Sequence, residues 1–246
     1  MVACADNPNT WEVARNFSEN LQTYGFSPRA DWQVTDAYFG QGQTIFSLVY
    51  QKIIFDKIVI KVPGKFNVLN AAAAFAVAIH LGVDAKVIKE GLFRFGGTKR
   101  RFEFVGEAKR IKLYDDYAHH PSEVRATLEA ARLWFPQNRL LVVFQAHTHS
   151  RTKALLGEFS RAFGLADIVI ITEIYASARE KDDLGVSGKL LANGVAKHHP
   201  RMVYRDNSKE VTAYLKSQTR AGDIVITLGA GNIFLWHKDI LKSLKN

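Results

Sequence analysis

The spacing of apolar positions changes character part-way along this 246-residue chain. Early on, β-type runs dominate. A strand is expected over the opening VACA, followed by residues 33–39, 44–50 and 53–62, which are rich in Thr, Tyr, Phe, Val and Ile. With the Gly40-Gln41-Gly42 break, these runs predict an antiparallel meander that ends at Pro63-Gly64. A helix over 9–20 follows the turn residues Asp6-Asn7-Pro8. From 67 to 81 the chain turns helical and alanine-rich. Gly82 stops that helix, and Asp84 caps a second one reaching about Phe95.

Beyond Gly96-Gly97, short apolar strands alternate with helices of ordinary length. Residues 102–105 and 111–114 read as a hairpin. Later strands fall at 140–144, 168–172, 202–204 and 224–228, and helices at 121–134, 152–163, 187–197, 208–219 and 232–244. That alternation predicts a Rossmann-like, doubly wound parallel sheet. The fold class is therefore α/β. Residues 1–97 form a first domain of antiparallel strands plus helices, and residues 98–246 a second. In doubly wound sheets ligands bind beyond the carboxyl ends of the strands.

Charge sharpens the division. Residues 1–97 carry 9 Lys+Arg against 8 Asp+Glu, and residues 98–246 carry 24 against 16. A basic second half suits anionic partners such as nucleotides or phosphates, although basic clusters are often only solvated faces. Aromatics do not interleave with the basic runs as in a single-strand groove, so nucleic acid is not expected as a partner. The longest apolar run, 71–79, is too short to span a membrane, and none is expected as a partner. The N-terminus lacks a signal-peptide pattern, and the lone cysteine, Cys4, fits a cytoplasmic location.

Several motifs fall at predicted strand ends. LYDDYAHHPSE (113–123) gathers Asp115, Asp116, His119 and His120 just before a helix opened by Pro121. Binding there competes with helix capping; a metal site would want further ligands at a helical or hairpin spacing. VVFQAHTHSRT (142–152) brings His147, His149 and Arg151 to the start of a helix beginning at Thr152. Arg151 there suits a carboxylate or phosphate, since its fork of donors adds to the positive end of the dipole. TKRRFE (98–103) puts Arg100 and Arg101 at the junction, where a solvated basic hinge is the plainer reading. Asn67 and Asn70 lie one turn apart at a helix start and could cap it or read an adenine edge. TLGAGN (227–232) is a weak Gly-x-Gly signal that could mark only a tight turn. His198-His199, near a helix end, has a dipole or solvent role by default.

Taken in order, N67VLNAAAA, GTKRRFE, DDYAHHPSE, FQAHTHSRT, IYASARE (174–180) and GDIVITLGAG (222–231) resemble the Mur ligase family over nearly the whole chain. The two histidine motifs most resemble its L-alanine-adding branch. The resemblance implies a remnant of the central ATP-binding domain followed by the C-terminal domain. It also implies an ADP-forming amide synthesis. ATP phosphorylates the carboxylate of UDP-N-acetylmuramate, and the amine of L-alanine attacks the acyl phosphate. Carried over, Asn67 and Asn70 hold adenine, and Arg100 or Arg101 meets the phosphates. Asp116 lies on the ribose side. His119, His147 and Arg151 hold alanine, with Arg151 on its carboxylate.

Phe66, Ala146, Thr148 and His149 depart from the branch's usual residues. No G-x-x-x-x-G-K-[ST] run occurs, so no phosphate cradle of that kind is present. The expectation is that magnesium ligands and the UDP-binding domain lie outside these residues, and that the chain alone is not a competent ligase. The alternatives are a non-catalytic module pairing with a separate N-terminal half, a murein tripeptide-recycling ligase, and a His/Asp metal-dependent hydrolase.

Overall fold

The computed structural model describes residues 1–17, 21–40, 42–177, 180 and 182–245. They divide into two compact units, Met1–Gly97 and Thr98–Asn246.

The first unit is built on a five-stranded sheet in the order β1-β2-β3-β4-β5, comprising β1 (Val2–Cys4), β2 (Gln22–Gly25), β3 (Trp32–Gly40), β4 (Gln43–Tyr50) and β5 (Ile53–Ile60). β3, β4 and β5 form the expected antiparallel meander. The other half differs from expectation, because β1, β2 and β3 pair in parallel. β2 has only four residues, and its strand character comes from its neighbours rather than from any run of its own. Helix α1 (Pro8–Ala14) is shorter than the predicted 9–20. Only Ala14 is buried along it, so little holds further turns; residues 18–20 lie outside the described residues.

Helices α2 (Lys65–His80) and α3 (Ala85–Arg94) complete this unit. Val68, Ala72, Phe75 and Ala76 of α2 are fully buried in a core with Trp32, Phe46, Leu48 and Ile58. Trp32 stacks flat on Tyr50 at 4.0 Å, a geometry that adds to simple area burial. Asp84 caps α3 by accepting from Lys86 N at 2.8 Å.

The second unit holds a six-stranded sheet in the order β10-β9-β8-β11-β7-β6. Its strands are β6 (Glu103–Ala108), β7 (Ile111–Asp116), β8 (Leu140–Phe144), β9 (Ile168–Ile171), β10 (Met202–Tyr204) and β11 (Ile224–Leu228). Five are parallel, and β6 is an antiparallel edge paired to β7. Helices α4 (Pro121–Trp134), α5 (His149–Ala154), α6 (Leu156–Phe159), α7 (Gly188–Ala196), α8 (Ser208–Gln218) and α9 (His237–Lys245) complete it, with a 3-10 turn, Ile233–Trp236, before the last.

Strand alternation sorts the core into two layers. Leu140, Val142 and Phe144 face one side with Leu128, Phe159, Leu191 and Val195, whereas Leu141 and Val143 face the other with Val211, Leu215, Ile240 and Leu244. Every residue of β8 and β11 is buried. Burying each such side chain contributes roughly 1.5–3 kcal/mol.

The predicted helix over 152–163 is in fact two short pieces, α5 and α6, broken at Leu155. At the amino edge of the sheet, Asp223 is clamped by Arg139 through Nε at 3.0 Å and Nη2 at 2.6 Å. That edge is held by structural ion pairs.

Candidate functional site

The carboxyl edge of the second sheet gathers the loops after β7, β8, β9 and β11. Asp115, at the end of β7, is fully buried. Its Oδ2 accepts from Arg100 Nε at 3.0 Å, and its Oδ1 from Thr227 Oγ1 at 2.6 Å. His237 Nε2 lies 3.3 Å from Oδ1. Burial opposes ionisation of Asp115, but the bonds from His237, Thr227 and Arg100 outweigh it and hold the carboxyl below its ordinary range.

Arg100 is fully engaged. Besides Asp115 it donates to the carbonyls of Gly229 and Gly231, and its guanidinium stacks between Tyr117 and Phe234 at 4.9 and 4.6 Å. The basic-hinge reading thus separates into two roles. Arg100 is tied into the unit, whereas Arg101 is exposed and lies over Tyr117 at 5.6 Å.

Asp116 points the other way. Its Oδ2 accepts from Phe102 N and its Oδ1 from Ala118 N, both at 2.8 Å. Burial raises its pKa to about 6 despite those two bonds and the nearby Arg101. Each oxygen keeps one lone pair for a further donor.

His120 caps α4: its Nδ1 accepts from Ser122 N at 3.3 Å, while Glu123 accepts from His120 N at 3.1 Å. His119 is free of that duty. Its Nδ1 donates to Tyr117 O at 2.9 Å, so in the neutral ring the lone pair sits on Nε2. The side chains of the adjacent histidines therefore differ: that of His120 caps α4 and that of His119 does not.

His147 faces His119, with ring centroids 6.5 Å apart, and stacks on Tyr175 at 5.8 Å. Burial, then Arg151 and His119, lower its pKa, so the ring is neutral near pH 7. Its Nδ1 is buried with no partner among the described residues. Thr148, not Thr152, opens α5, accepting from Arg151 N at 3.5 Å. Arg151 therefore sits inside the first turn. Its Nη1 donates to His147 O at 2.6 Å, and the rest of the guanidinium makes no hydrogen bond among the described residues.

The loop after β11 approaches closely. A Cβ on Gly229 would lie 2.5 Å from Gln145 O, and one on Gly231 2.6 Å from Gln145 Oε1 and from Tyr175. Gly229 also has φ of 149°, which disfavours a side chain. The Gly-x-Gly pair is a packing requirement here. Sequence reading did not single out Gln145, Tyr175, Glu180, Thr227 or His237. The first three follow β8 and β9, where the strand-end rule points. Thr227 lies in the TLGAGN stretch, which drew notice only for its glycines, and His237 carries no local signal. His199 is buried and bonds Ala166 O through Nε2 at 3.0 Å, a structural role. No group of three or more His, Cys, Asp or Glu suited to a metal ion occurs among the described residues.

In the first unit, Asn67 Nδ2 donates to Pro63 O at 2.7 Å, and Asn70 Nδ2 approaches Asn67 Oδ1 at 3.5 Å. Neither is the N-cap of α2, a position held by Gly64. Asn70 is exposed.

The description "Mur ligase middle domain" matches residues 1–78, and "Mur ligase, glutamate ligase domain" matches residues 100–231. The chain belongs to the Mur ligase family. It is 44% identical to the UDP-N-acetylmuramate--L-alanine ligase of Caldanaerobacter subterraneus over 95% of this chain and 51% of that protein. The enzyme of the same name from a Geobacter species is 41% identical, over 99% of this chain and 53% of that protein. The solved UDP-N-acetylmuramate-alanine ligase of Thermotoga maritima superposes with a TM-score of 0.81 at 25% identity, covering 98% of this chain and 50% of that one. The chain thus spans about half the length of the relatives it matches. Of the IYASARE stretch that contributes to the likeness, residues 178 and 179 lie outside the described residues. No described helix is long and apolar enough to cross a membrane.

Proposed function

We propose that this Mur ligase chain forms the amino-acid-accepting part of an ATP-dependent ligase that joins L-alanine to UDP-N-acetylmuramate in peptidoglycan precursor synthesis. The carrying observation is the convergence of three groups from two loops: His119, and His147 with Arg151. Arg151 receives the alanine carboxylate with the donors it does not give to His147 O. The lone pair on His119 Nε2 and the neutral His147 ring face the amine, which must shed a proton before attack.

ATP supplies the phosphoryl group that activates the muramic acid carboxylate. The residues present fit only part of that nucleotide. In the first unit the exposed Asn70 keeps its side-chain carbonyl for adenine; in the second, Arg101 offers an exposed cation to phosphates and Asp116 its remaining lone pairs to the ribose side. No G-x-x-x-x-G-K-[ST] run occurs in these 246 residues, which span about half the length of the relatives, so the chain alone is expected to be inactive. A cytoplasmic location is in keeping with the lone cysteine, Cys4.

The test is titration of the chain with L-alanine, followed by NMR of its imidazole resonances. Millimolar binding (about −4 kcal/mol) that weakens roughly 10–150-fold in Arg151→Ala supports the assignment. Binding of equal strength in both proteins, or none in either, overturns it.

A further inference from the structure

Helix α5, which carries Arg151, has only six residues, too few to hold itself in water. Its first amides are satisfied by side chains instead. Thr148 accepts from Arg151 N. Glu180, on the loop after β9, accepts from His149 N at 2.8 Å, Ser150 N at 2.9 Å and Ser150 Oγ at 2.6 Å. Ser150 Oγ lies in turn 2.9 Å from Thr148 Oγ1, closing the network on the capping residue.

Two further contacts come from the same loop. His149 Nδ1 donates to Val186 O at 3.0 Å, and Lys153 Nζ to Leu184 O at 3.0 Å. They grip α5 from the side, whereas Glu180 meets its first two open amides. Glu180 stays ionised at any working pH: slight burial is outweighed by the bonds from Ser150 and His149, which bring its pKa to about 2.

We propose that Glu180 is a positioning residue for the amino-acid site, its carboxylate fixing the first turn of α5 and, through that turn, the placement of Arg151 and His147. This rests on the reading of those two residues as alanine ligands. The coupling is short. Arg151 Nη1 bonds His147 O, so a shift of the turn moves both groups against His119 together. Misplacement by about 1 Å of a group that orients a reacting substrate can cost on the order of 100-fold in rate. A substrate carboxylate is met by Arg151 rather than by the helix amides, because Glu180 already occupies them.

The experiment compares L-alanine affinity in the wild-type chain, Glu180→Gln and Glu180→Ala by NMR titration, with thermal melting as a check on folding. Gln keeps one acceptor oxygen and the side-chain length but loses the charge, and charged acceptors bond about twice as strongly. The expected result is a graded loss: on the order of tenfold for Ala, less for Gln. The His147 ring resonances should move in the free variants while those of His199, far from α5 in sequence and bonded elsewhere, stay put. If Glu180→Ala does not fold, the Gln variant decides: weaker binding supports the proposal and unchanged binding overturns it. Wild-type binding matched by both variants overturns the role of Glu180 and leaves the alanine site standing. No binding by the wild-type chain overturns the alanine site itself, and the positioning role with it.

Discussion

Arg100 Nε donates to Asp115 Oδ2 at 3.0 Å, and the same guanidinium reaches the carbonyls of Gly229 and Gly231. One side chain thereby joins the start of the second unit to the ends of β7 and β11. Asp115 is 1% exposed, so removing its cationic partner leaves a buried charge only partly compensated by Thr227 and His237. Arg100→Ala should therefore lose about 3 kcal/mol or more of stability in urea unfolding. Arg101→Ala, changing an exposed side chain, should stay within about 0.5 kcal/mol. If the proposed function holds, Arg101→Ala weakens nucleotide binding instead. Equal stability losses at the two positions would refute the division of roles.

Asp116 makes a pH prediction of definite sign. Burial raises its pKa to about 6 in the folded chain, above its value in the unfolded one. Between about pH 4 and pH 6 the unfolded state therefore binds fewer protons, and stability falls as pH rises. A gap of about two pH units corresponds to about 3 kcal/mol. Asp116→Asn cannot ionise, so relative to wild type it should gain about that much between pH 4 and pH 7. A stability difference independent of pH would show that Asp116 titrates normally.

Neighbouring histidines should behave differently. His120 caps α4, and replacing it by Ala should cost about 1 kcal/mol of stability with little change in alanine affinity. His119→Ala should do the reverse, since among the described residues its Nδ1 bonds Tyr117 O and contacts Glu123 while Nε2 makes no hydrogen bond. Paired melting and titration experiments separate the two.

Gly188 opens α7 against the end of β9. A Cβ there would lie 2.2 Å from Thr172 O, a backbone atom with no freedom to retreat. Gly188→Ala should destabilise the unit by about 1–3 kcal/mol, measured by thermal melting. Gly157→Ala, where nothing lies within 4 Å, is the control and should be neutral or slightly stabilising.

By itself the sequence determined what local chemistry controls. Pro121 and the alternating polar pattern set α4 to the residue, and the continuous apolar runs of β8 and β11 announced strands buried on both faces. The strand-end rule then brought His119, His147 and Arg151 into consideration together. Tertiary structure decided the rest, because it depends on partners distant in the chain. β2 is a strand only because β1 and β3 flank it. The expected helix over 152–163 broke at Leu155, where packing of Leu155 and Leu156 on the core overrode helical continuity. Arg100 and Arg101 are adjacent and chemically identical. Only the fold placed Asp115 and two glycine carbonyls beside the first and solvent beside the second.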